Sequence, residues 1–136
     1  MIEMHELRMG DLLLVQFDGT SREGEIIGLD REERKTQVQT DVQDFWYDPN
    51  ELYPIPLDEN QLLKFGFEKQ DQPGGGVKYL KGPFRILISG KGNFSDFEMW
   101  YREDRRHITQ PIAVHQLQNH YHGMTKIDLI RAVSAH

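Results

Sequence analysis

The chain has 136 residues, of which 38% are hydrophobic and 28% charged, and its 16 Lys and Arg against 22 Asp and Glu leave a net charge of -6. That length bounds the protein to one ordinary domain or two very small ones, and the composition is that of a foldable globular chain, neither disordered nor fibrous. The acidic balance disfavours nucleic acid as a partner, and the absence of cysteine removes disulfides, thiolate nucleophiles and cysteine zinc sites.

The opening stretch, MIEMHELRMG, carries Glu3 and Glu6 where a signal peptide would place positive charge before an apolar run. No stretch approaches the roughly 18 apolar residues of a membrane span. The expectation is a cytoplasmic protein with no membrane partner. Up to about residue 57 the signals are those of short strands. DLLLVQF (11–17), EIIGLD (25–30), TQVQTDV (36–42), DFWYDP and LYPIPL alternate in the two-residue period, broken by Asp18-Gly19 and by the charged stretch from Asp30 to Lys35. DPNEL (48–52) predicts one helical turn before the last strand, because Pro49 presets φ. Five strands in fewer than sixty residues predict a closed or nearly closed barrel, since an open sheet that small would expose two edges. The count, the spacing and the one-turn break resemble SH3-like barrels of the Tudor and KOW kind.

The pattern changes at PLDENQLLKFGF. Asp58 predicts an N-cap with Gln61 completing a capping box, Leu57 and Leu62 are spaced for a staple, and Gly66 predicts a left-handed stop that lays Phe67 over Leu62. So short a helix needs packing by Leu62, Leu63 and Phe65 to persist. VKYL, PFRILIS, FEMWY and RHI then predict an antiparallel meander, with Phe84, Ile86 and Ile88 on one face of its second strand and Phe97, Met99 and Tyr101 on one face of its third. The fold class expected is therefore β-rich α+β: an SH3-like barrel over 1–57, then an α+β domain over 58–136 in the order helix, meander, helix.

Three of the six histidines lie in PIAVHQLQNHYHGM. Drawn as a helix, this stretch puts Val114, Leu117, Tyr121 and Met124 within a stripe of roughly 80°. His115, Gln118 and His122 fall outside it, and His120 lies at its rim. His115 and His122 are about 10.5 Å apart along the axis, so they cannot chelate one ion, and no metal or other cofactor is expected. The polar face is instead expected to meet solvent or a partner. TKID (125–128) predicts a last short helix carrying Ile127, Ile130 and Val133.

PGGGVK and SGKGN lack the spacing of a phosphate loop. Asp96, Glu98, Glu103 and Asp104 lie in or beside turns, where water keeps carboxylates ordinary, so the chain is expected not to be an enzyme. Two surface candidates remain beside the histidine helix. Phe45, Trp46, Tyr47 and Tyr53 fall at the end of the presumed barrel, where aromatics either fill a small core or hold a ligand. Arg102, Arg105 and Arg106 beside FEMWY could hold single-stranded nucleic acid by charge and stacking.

Three blocks, Leu7 to Gly10, Ile55 to Lys69 and Val114 to Thr125, resemble a family of small uncharacterised bacterial proteins, many carried on prophage-like or mobile elements. Its members read approximately LRIGN, then IPLTEE-LLK-GFEK, then VHQLQNLYFALTG; this chain has His120, His122 and Gly123 where they tend to Leu, Phe and Ala. The resemblance implies a shared architecture and an accessory role, and no activity. The expectation is a non-catalytic module that binds a protein, itself included. The alternatives are a nucleic-acid accessory protein and a small metal- or His-dependent hydrolase.

Overall fold

The computed structural model describes residues 2–131, and of Phe17 the backbone alone. Its residues cluster into two compact units, 1–55 with 113–119 and 56–112 with the residues from 120 on.

The first unit is a five-stranded antiparallel sheet of β1 (Leu12–Phe17), β2 (Thr20–Asp30), β3 (Lys35–Gln39), β4 (Asp44–Tyr47) and β5 (Leu52–Tyr53), in the order β4-β3-β2-β1-β5. Asp18-Gly19 is a two-residue hairpin loop, as that dipeptide favours, and residues 31–34 make the next turn. A single 3-10 turn at Pro49–Glu51 precedes β5. Among the described residues no pairing joins β4 to β5, so the hydrogen-bonded sheet does not close, and of the closed or nearly closed barrel expected from strand count the closed form is not seen. Its apolar side is covered by other means. Leu13, Val15, Ile26, Val38, Tyr47 and Leu52 form one buried cluster with Ile2 and Leu7, which come from the segment before β1.

The second unit begins with α1 (Glu59–Lys64), specified at both ends by local chemistry. Asp58 accepts the Gln61 backbone N–H at 2.9 Å, satisfying one of the donors a helix start leaves bare. At the other end Gly66 sits at φ 88°, and the N–H groups of Gly66 and Phe67 return to the carbonyls of Leu63 and Leu62, the paired bonds of a Schellman stop. Leu62 and Phe65 are buried as expected, but Leu63 is exposed, because six residues turn only one narrow stripe inward. A five-stranded meander follows: β6 (Glu68–Asp71), β7 (Val77–Lys81), β8 (Phe84–Ile88), β9 (Phe97–Tyr101) and β10 (Asp104–Ile108), ordered as in the chain. Val77, Tyr79, Phe84, Ile86, Ile88, Phe97 and Met99 make its buried face.

The last element is α2 (Val114–Thr125), whose Val114, Leu117, Tyr121 and Met124 are buried as the stripe predicts. In the second unit Tyr121 meets Phe84 with ring centroids 4.7 Å apart. The helix expected after Thr125 does not form through residue 131. Thr125 does act as a turn residue, but it ends α2: its hydroxyl donates to the Tyr121 carbonyl and accepts the Ile127 N–H, while Lys126 takes a left-handed φ of 64°. Ile127 and Ile130 are consequently exposed, and Val133 lies outside the described residues.

The caps of α1 should be measurable separately. Asp58→Ala is expected to cost about 1 kcal/mol and Gly66→Ala about 1 to 2 kcal/mol, each read as a lowered urea midpoint at unchanged slope.

Candidate functional site

The histidines of α2 do not share an environment. His115 is 1% exposed, which corrects its expected place on a solvated face, and its Nε2 lies 2.6 Å from the Glu6 carboxylate. Gln118, expected on the same open surface, is also buried. Its Oε1 accepts the Leu12 N–H at 2.8 Å and its Nε2 donates to the Gly10 carbonyl at 3.0 Å. Next to it, Asn119 Nδ2 donates to the Glu6 carbonyl at 2.6 Å. Three polar side chains from the first half of α2 therefore hold residues 6–12 in place: Gln118 and Asn119 by satisfying main-chain groups, and His115 by pairing with the Glu6 carboxylate. These residues are scaffold, not a ligand surface.

His120 belongs to the second unit. Arg106 donates to its Nδ1 at 2.8 Å, which fixes the neutral tautomer with the proton on Nε2. Burial, and then the Arg106 charge, hold this imidazole below its usual pKa of 6.5. A guanidinium on the ring nitrogen also occupies the lone pair a metal would need. His122 is half-exposed, with Nε2 3.9 Å from Asp128. Among the described residues no three His, Asp or Glu side chains are grouped to hold a metal ion.

The aromatic candidates separate in the same way. Tyr47 is core at 1% exposure, while Phe45, Trp46 and Tyr53 are 46%, 43% and 42% exposed. Tyr53 lies on β5 and the other two on β4, the two end strands of the sheet. The Phe45 ring stacks edge-on against Tyr47 at 5.3 Å, and the Trp46 ring reaches across β3 to Gly28, where any Cβ would come within 3.1 Å of it. A cleft of about 170 Å³ lined by Asp18, Thr20, Arg22, Thr40, Val42, Gln43 and Tyr47 lies between the β1-β2 and β3-β4 turns.

The arginine strip does not converge. Arg105 pairs with Trp100 across β10 and β9 and lies over its indole at 4.3 Å, Arg106 pairs with Met99 on the opposite face, and Arg102 sits in the turn over Tyr101 at 5.1 Å. Residues adjacent in a strand point to opposite sides, so Arg105 and Arg106 cannot grip one strand of nucleic acid together. What the sequence reading missed is Arg85, the pair partner of Trp100 on its other side. Strand register, not proximity in the chain, would have revealed it.

The carboxylates have quiet partners: Asp96 bonds His107 at 2.6 Å, Glu98 accepts the Trp100 indole N–H at 2.9 Å, and Glu59 accepts both the Tyr79 hydroxyl at 2.9 Å and Lys69 at 2.8 Å. The bonds from Lys69 and Tyr79 hold Glu59 below the ordinary carboxylate range, while burial and then the Glu59 bond push the Tyr79 phenol up. At neutral pH the acid stays ionised and the phenol protonated, which poises neither for proton transfer. Compared with protein-family models, with curated proteins and with solved structures, the chain matches none.

Replacing the Gln118 amide should show its structural role. Gln118→Leu leaves the Leu12 N–H buried without an acceptor and is expected to cost about 1 to 3 kcal/mol in denaturant unfolding. His120 sets a pH dependence. Because its folded pKa is depressed, the stability it contributes is present above 6.5 and is lost as pH falls from there through the lowered folded value. The thermal midpoint should therefore drop as pH falls below about 6.5, and His120→Gln should flatten that slope.

Proposed function

We propose that the protein is a non-catalytic binding module that engages a protein partner along the β4 edge of its first unit. The observation that carries this reading is the exposed pair Phe45 and Trp46 on a strand with a neighbour in the sheet order on one side. Adjacent strand residues face opposite ways, so this strand offers an aromatic surface on each side of the sheet. Exposed edges are commonly blunted by charge or proline, and two large aromatics there favour addition of an extended segment instead. Val42, exposed in the turn before β4, lengthens the apolar surface. Tyr47 serves the core and is not part of the proposed contact. Residues 1–55 carry thirteen acidic against five basic residues, a net of -8, which favours a partner with basic side chains.

The single turn at Pro49–Glu51 before the last strand, with β1 between β2 and β5, supports reading this unit as a relative of SH3-like barrels. An accessory role in the cytoplasm, of the kind the resemblance to mobile-element proteins implies, accompanies that reading. No helix among the described residues is long and apolar enough to cross a membrane.

A photo-crosslinking phenylalanine analogue in place of Trp46 should give a discrete protein adduct in bacterial lysate, whereas the same analogue at Leu63, exposed in the second unit, should not. A monomer on a sizing column that yields no more adduct from position 46 than from position 63 would refute the reading.

A further inference from the structure

We infer that the open face of the second sheet binds an acidic peptide segment carrying an apolar side chain, at a site independent of the β4 edge. The face is built by register. Arg85, Trp100 and Arg105 are successive pair partners across β8, β9 and β10, so Trp100 has an arginine on each side, with the Arg105 guanidinium over its indole. One row along, Lys78 pairs with Leu87, and Leu87 with Glu98. Gln72, Lys78, Arg85, Leu87 and Trp100 enclose a cleft of about 150 Å³. Its apolar walls are Leu87, the indole and the hydrocarbon stems of the two basic residues, whose heads reach the rim as long cationic side chains do.

The chemistry of the occupant follows from what these groups lack. Among the described residues Lys78, Arg85 and Arg105 form no ion pair, while Glu98 is engaged by the Trp100 indole. Three cations without acidic partners around an apolar slot fit a ligand that brings carboxylates beside a hydrophobic group. Such a ligand displaces no existing salt bridge, and its carboxylates meet Arg85 in the forked geometry that guanidinium favours. The wider charge distribution agrees: residues 56–112 and 120–136 carry eleven basic against nine acidic residues, a net of +2 within a chain of net -6. Single-stranded nucleic acid fits less well. Arg105 already lies on the indole that would have to stack with a base, and Glu98 stands beside the track a phosphate would follow.

The test is fluorescence anisotropy of a fluorescein-labelled Asp-Glu-Phe-Asp-Glu-Leu-Asp peptide titrated with the full chain at low salt. Saturable binding is expected. It should weaken roughly tenfold on Arg85→Glu, on Trp100→Ala, and on exchange of the peptide's Phe and Leu for Ala. Lys91→Glu, an equal charge change in the β8-β9 loop, should alter it less than about twofold. Arg85 is exposed, so its variant tests the site without threatening the fold. No binding, equal weakening by Lys91→Glu, indifference to Arg85→Glu, or tighter binding of an oligothymidylate than of the peptide would each overturn the assignment. None of these outcomes bears on crosslinking from position 46.

Discussion

The first unit depends on one amide. Gln118 accepts from Leu12 and donates to Gly10, so its side chain stands in for a peptide group of a neighbouring strand at the point where the chain enters β1. Without it the buried Leu12 N–H and the Gly10 carbonyl would lose these partners, and the segment carrying Leu7 into the core would lose one of its anchors. Asn119 and His115 bind Glu6 from the same helix, giving the segment two further points of attachment. The backbone of residues 112–114 continues this ordering by bonding Leu57 and Ile55, each within its own unit. Leu7–Gly10, Ile55–Lys69 and Val114–Thr125 are thus stretches joined by bonds between their residues, Gly10 to Gln118 and Ile55 to Val114.

That scaffold takes up His115, Gln118 and Asn119 of VHQLQN, and the partly exposed indoles lie on other elements. Each unit presents aromatic rings on a different electrostatic ground. In the first, Phe45 and Trp46 belong to a stretch with an excess of carboxylates; in the second, Trp100 pairs with an arginine on each side, one of them over its indole. The net charge of -6 is therefore divided unevenly, -8 over residues 1–55 and +2 over residues 56–112 and 120–136. Association with a charged partner is governed by such local fields, with net charge a poor guide.

The legible parts of this structure are those whose cause is local. Asp58, Gly66 and Phe67 announce both ends of α1 within ten residues, and the apolar stripe of α2 follows from one helical period. The illegible parts depend on what packs from afar. His115 and Gln118 read as solvated because a periodicity argument counts apolar side chains only, whereas these two are buried by bonding residues more than a hundred positions away. β6 contains no apolar residue, so EKQD gives no strand signal and exists as an edge held by its neighbour. Arg105 and Arg106 looked like one strip in the chain, and the pleat divides them. The five strands of the first half were visible, but the covering of their apolar side by Ile2 and Leu7 was not, since nothing in MIEMHEL marks it as a lid.

The placement of the chain's two indoles has a spectroscopic consequence. Trp46 belongs to one unit and Trp100 to the other, and both are partly open to water. Their surroundings differ: a glycine and a glutamine lie beneath the first, and a guanidinium covers the second. Each half of the molecule thus contains its own intrinsic fluorophore, so the emission of a single-tryptophan protein would report the melting of one half without interference from the other.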